Sequence, residues 1–184
     1  QKNIKAAVSQ FLSDGAIKAQ LNGSKETIFF PTCNVSFKKK YLNEEFNELF
    51  PFPAGEDLEF FWRIFKKGHK LNYSADIDIF HDCHTDARSF LRQAYLYGRG
   101  NYLVQYIHND HPLLKEIRVQ DNFVFFFGLV INFLKIPRFS YLLGKRLIHS
   151  QNQFNLYERL QIFVYFAVHK IMYLIGNIAE RRRL

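Results

Sequence analysis

Residues 55–68 read Gly-Glu-Asp-Leu-Glu-Phe-Phe-Trp-Arg-Ile-Phe-Lys-Lys-Gly, and this stretch sets the reading of the whole chain. Leu58, Phe61, Trp62 and Phe65 are spaced to share one face, which predicts an amphipathic helix from about Glu56. Gly68 suits the position just past its end, where the backbone turns left-handed. The lead-in, Pro51-Phe52-Pro53-Ala54-Gly55, cannot be helical and works as a stiff approach. Glu56 and Asp57 therefore open the helix, where free backbone N–H groups and the helix dipole stabilise a carboxylate. Acids at helix starts are common for that reason alone. The stiff lead-in and the aromatic anchors behind it can also hold a carboxylate rigidly at a pocket rim, which catalysis needs.

Upstream, residues 2–21 predict a helix with Ile4, Val8, Phe11 and Leu12 on one face. Residues 27–30 read as a strand ended by Pro31, and residues 34–37 as a second extended run before the basic cluster Lys38 to Lys40. Downstream, residues 70–73 and 77–80 read as strands around a turn, with His81 at the end of the second. Residues 89–106 predict a longer helix whose second half Gly98 and Gly100 weaken. Asp76 and Asp78 bracket one residue, but they read as the turn and solvent face of a strand rather than as a metal site.

The character changes after about Pro112. Residues 123–134 are almost wholly apolar, a basic loop with Pro137, Arg138, Lys145 and Arg146 is expected next, and residues 160–175 are apolar again around His169 and Lys170. A helix needs about 20 residues to cross the hydrocarbon core, so both apolar runs are short. They predict helices lying in or dipping into one leaflet, with Arg181, Arg182 and Arg183 on anionic headgroups. A pair of buried helices, or a single C-terminal span, are the alternatives. The expected domains are residues 1–111 and a helical, basic tail over residues 112–184.

The 184 residues suffice for a real core, and 21 Phe and 10 Tyr suggest more than one apolar environment. The net charge of +8 is compatible with an anionic membrane or a phosphorylated ligand. The basic residues are scattered and no recognition motif is present, so nucleic acid is not an expected partner. Two cysteines, Cys33 and Cys83, make no disulfide framework and fit a reducing compartment. A zinc site from His81, Cys83 and His84 would lack a fourth ligand at suitable spacing.

Four pieces in order carry a resemblance: Asn34 to Lys38, Gly55 to Gly68, His81, and Arg92 to Gly100. Together they resemble the second half of a family 2 glycosyltransferase of the GT-A fold, over roughly residues 27–106. The resemblance implies an α/β fold, here the acceptor-side half with a short mixed sheet and flanking helices, followed by the membrane-associated helical tail. It implies Asp57 as catalytic base with Glu56 orienting the acceptor or the local backbone, and His81 completing a divalent metal site for Mn²⁺ or Mg²⁺. His84 would be an alternative ligand or a diphosphate contact. Arg92, Gln93 and Arg99 would border acceptor and donor diphosphate, although a solvated helix face reads equally well from the residues. The implied donor is a nucleotide-diphosphate sugar, the implied acceptor a glycan or lipid-linked molecule, and the implied place the cytoplasmic face of the cell membrane.

Processive members of that family carry Gln-x-x-Arg-Trp. Residues 93–97 are Gln-Ala-Tyr-Leu-Tyr instead, which favours single-sugar transfer. Nothing before residue 27 supplies the family's nucleotide-binding half or its Asp-x-Asp. The chain, which begins at Gln1, is thus expected to be a fragment that does not turn over alone.

Overall fold

A computed structural model describes residues 3–21, 26–38, 40, 44–74, 76–77, 86–111, 121–151 and 153–184. The described residues are mostly helical. The first helix, α1 (Ile4–Leu21), leads to β1 (Glu26–Thr27), a 3-10 turn (Thr32–Asn34), α2 (Glu56–Lys66) and β2 (Leu71–Asn72). Four helices follow: α3 (Ala87–Ile107), α4 (Asn122–Leu134), α5 (Ile136–Gln151) and α6 (Leu156–Arg183).

Local chemistry starts and stops these helices. Gly55 precedes α2 with φ of +89°, a left-handed backbone that suits glycine, and Glu56, Asp57 and Glu59 fill the first turn. Gly68, with φ of +84°, donates its N–H to the Phe65 carbonyl as expected of a helix-ending glycine. Asp86 caps α3 by accepting from the Ser89 N–H, and Asp121 caps α4 by accepting from Phe123 and Val124. Asn155 and Glu158 form a reciprocal capping box on α6.

The strands are shorter than the sequence predicts. β1 and β2 pair antiparallel, Glu26 opposite Asn72 and Thr27 opposite Leu71, and this two-stranded pair is the sheet of the described residues. The run expected over residues 27–30 stops at Thr27, whose hydroxyl donates to the Phe29 carbonyl and folds the chain back on itself. Within residues 34–37, Asn34 closes the 3-10 turn and the others pair with no strand among the described residues. Of residues 77–80 only Ile77 is described; it is exposed and outside any strand.

The basic loop expected around Pro137 is the helix α5. Pro137 sits in its first turn, where the missing N–H has no partner to lose. Of the predicted apolar face of α2, Leu58, Phe61 and Trp62 are buried, whereas Phe65 is exposed and stacks on Trp62 with centroids 5.4 Å apart. Phe60 and Ile64 complete the buried arc.

Three cores result. Phe30, Phe60, Phe61, Ile64 and Leu71 pack around the small sheet. Ile4, Val8 and Phe90 join Leu147, Phe154, Ile162 and Phe166, so this core crosses from residues 1–111 into residues 112–184. Tyr102 joins Phe125, Leu129, Ile136 and Leu174 in the third. α6 lies parallel to α3 because the contacts advance together along both: Phe90 meets Tyr165, Gly98 meets Tyr173 and Arg99 meets Glu180. α6 is 28 residues long and apolar enough to cross a membrane.

Candidate functional site

The carboxylates of Glu56 and Asp57 stand at the N-terminus of α2, and α3 runs past them. The approach is backbone to backbone. A Cβ on Gly100 would sit 2.2 Å from the Ala54 carbonyl oxygen, so only glycine allows α3 to come this close to the lead-in. One residue earlier, the Arg99 guanidinium lies 4.2 Å from the centre of the Phe52 ring and donates to the buried Glu180 carboxylate at 2.7 Å. The lead-in is therefore held by α3 rather than by its prolines alone.

Asp57 accepts a hydrogen bond from its neighbour's Leu58 N–H at 2.8 Å. Burial, and then the adjacent Glu56 charge, push its carboxyl up to about 6, against the opposing pull of the Leu58 and Thr32 backbone N–H groups. One oxygen of Glu56, Oε2, is buried and has no hydrogen-bond partner among the described residues. Such an atom is expensive to desolvate and is ready to accept a hydroxyl.

On α3, Tyr97, 40 % exposed, comes within electrostatic reach of this pair. Burial around its hydroxyl, followed by the Asp57 and Glu56 charges, raises its pKa. Gln93 donates from Nε2 to the Tyr97 hydroxyl at 3.2 Å, and Ser9 of α1 donates to Gln93 Oε1 at 3.1 Å. Gln93, Tyr97 and Gly100 follow one another along one helix face at four and three residues. The result is a hydrogen-bonded line from Ser9 through Gln93 to the Tyr97 hydroxyl.

Of the expected site residues, Glu56 and Asp57 stand together at the start of α2, and Gln93 of α3 is bonded to Ser9 of α1 and to Tyr97 of its own helix. Arg92 and Arg99 hold the same angular position on α3 but end in different surroundings. Arg99 is committed to Glu180 and Phe52, whereas Arg92 is exposed with no partner among the described residues. His81, Cys83, His84 and Asp78 lie outside the described residues. Among the described residues no group of three His, Cys, Asp or Glu side chains is placed to hold a metal ion.

Sequence reasoning missed Tyr97 and Ser9 as members of this set. The four-residue spacing of Gln93 and Tyr97 was the available signal for the first; nothing in the sequence pairs Ser9 with residue 93. Two neighbouring residues are structural. Glu59 is buried and accepts from Arg63 Nε at 3.0 Å, with His108 Nε2 also at 3.0 Å, which ties α2 to the end of α3. Trp62 is core, with its indole N–H donating to Asp110 at 3.3 Å. A cavity of about 740 Å³ lies across the Thr32–Asn34 turn, lined by Phe30, Asn34, Phe37, Lys38 and Tyr73 among others, and neither Asp57 nor Tyr97 lines it.

Comparisons of the chain with protein-family models, with curated proteins and with solved structures gave no match.

Proposed function

We propose that this chain is the acceptor side of an inverting glycosyltransferase of the GT-A type, working at the cytoplasmic face of a membrane. The observation that carries the reading is Asp57: a carboxyl fixed at a helix N-terminus, pushed up to about 6, beside a second carboxylate and a tyrosine. A base with that pKa is mostly ionised at neutral pH yet holds a proton better than an ordinary aspartate. Asp57 takes the proton from the acceptor hydroxyl as its oxygen attacks the anomeric carbon; the bond to the nucleotide diphosphate breaks on the opposite face. Glu56 Oε2, buried and unpartnered, accepts from a second acceptor hydroxyl and sets its angle. Tyr97 and Gln93 close the side towards α3.

The donor in this reading is a nucleotide-diphosphate sugar and the acceptor a lipid-linked molecule or a polysaccharide. A divalent metal, Mn²⁺ or Mg²⁺, would neutralise the leaving diphosphate. The described residues supply no donor set for it, and His81 is its proposed ligand from the sequence.

In the full-length protein, Asp57→Asn lowers nucleotide-sugar-dependent transfer by roughly 10²–10⁴-fold. Radiolabelled sugar incorporation measures this. Undiminished transfer by the variant would remove Asp57 from the role and favour another base, or the second reading, in which this chain is a non-enzymatic membrane adaptor and the base lies elsewhere; the exposed apolar surface of α4 speaks for that second reading.

A further inference from the structure

Among the described residues, a dense run of exposed apolar side chains lies on α4. Phe123, Phe126, Phe127, Val130, Phe133 and Leu134 project from α4, with exposures from 39 % to 77 %. The inner face, Phe125 and Leu129, packs on Leu174 of α6. No charged residue lies among the 13 of α4. Water-exposed phenylalanines in this density are not stable against association with something apolar.

α5 continues after a bend of 51°. It too buries an inner face on α6, with Leu147 against Ile162 and Phe166. Its outer face carries Arg138, Tyr141, Leu142, Lys145 and Arg146, all exposed. Lys135 stands exposed at the bend itself. Residues 122–151 hold these four cations and no aspartate or glutamate. An apolar helix thus passes directly into a basic, tyrosine-bearing one.

We propose that the α4–α5 elbow docks the protein on anionic lipid, with α4 sunk into one leaflet and α5 at the headgroups. α4 rises about 20 Å, too little for a hydrocarbon core of about 30 Å. α6, although long enough, is not free to span. α3 lies against it through Gly98, Gly176 and the Arg99–Glu180 ion pair, and α3 carries exposed Arg88 and Arg92. Those charges would enter hydrocarbon at the depth of α6. Burial of the α4 face against a second copy would bring the four cations of each elbow towards the other copy's, without acids in either elbow to offset them. Anionic headgroups complement them, each basic group at such a surface strengthening binding about fivefold.

The inference sharpens the membrane part of the reading above and is independent of Asp57: Asp57→Asn leaves vesicle binding unchanged whatever it does to transfer. The test is flotation of the whole chain with vesicles of phosphatidylcholine alone and with about one quarter phosphatidylglycerol. Wild type floats with the anionic vesicles. Phe123→Asp with Phe127→Asp, both at exposed positions, lowers the partition at least about tenfold on either vesicle, with the circular dichroism spectrum retained. Lys145→Glu with Arg146→Glu lowers it about tenfold or more on the anionic vesicles only.

Depth is read by acyl-chain-brominated lipid. Phe127→Trp adds fluorescence that the lipid quenches, and Arg92→Trp adds fluorescence that it does not. Equal flotation of the double Phe variant would overturn the proposal, as would a solution dimer that this variant dissolves. Quenching at position 92 would overturn the single-leaflet arrangement.

Discussion

Asp57 is held in its protonated form more readily than an aspartate in water, and this has a thermodynamic consequence. Its pKa lies at 3.8 in an ordinary setting and at about 6 in the fold. Between those values the folded chain binds more protons than the unfolded one. Stability therefore falls as pH rises through this window and stays low above it. A displacement of that size corresponds to at most about 3 kcal/mol. Asp57→Asn, which cannot ionise, is accordingly more stable than wild type by about 1–3 kcal/mol at pH 7, and the difference vanishes below about pH 4. Denaturant melts at the two pH values check this; a variant less stable than wild type at pH 7 would contradict it. The acidic pair itself was legible from the sequence, because Gly55 and the stiff lead-in mark the helix start. Its two supports were not. Tyr97 belongs to it through a helix 40 residues on, and Glu56 Oε2 is orphaned by packing that no spacing reveals.

At the scale of elements, the helices follow the sequence and their glycines do not. Gly98 and Gly100 read as weak points in α3, since glycine lowers helix propensity. In the fold each is a contact. A Cβ on Gly98 would sit 1.9 Å from the Tyr173 carbonyl oxygen, and one on Gly176 would sit 2.1 Å from that of Tyr95. Neither partner is near in sequence, so the purpose of these residues is invisible until α6 is in place. Gly98→Ala destabilises the fold by about 3 kcal/mol because one backbone or the other must move. Gly15→Ala, in α1 with open space around it, is the control and is neutral or stabilising by about 0.5–1 kcal/mol. Thermal melts of the two variants distinguish them; a Gly98→Ala melt matching wild type would show that α3 and α6 are not close-packed. Pro137 misled in the opposite direction: a residue read as a loop marker begins a helix. The strand at residue 27 failed for a local reason, the Thr27 hydroxyl taking the Phe29 carbonyl away from the sheet.

For the whole molecule, one core joins Ile4, Val8 and Phe90 to Ile162 and Phe166, so the N-terminal helix, α3 and the long C-terminal helix stand or fall together. The sequence showed the change of character near residue 112 because composition is local; it could not show that α6 returns to lie on α3. The same packing places the apolar surface on α4 and α5 and keeps Asp57 on the other flank of α3, against the lead-in. The pH dependence of kcat/KM for sugar transfer by the full-length protein, measured for wild type and for Asp57→Asn, tests the functional account most directly, since this parameter reports groups of the free enzyme. The wild-type rate should climb tenfold per pH unit and level off at an apparent pKa near 6, with that limb missing from a variant of much lower rate. A profile level across this range, or a variant that retains both the rate and the limb, would contradict it.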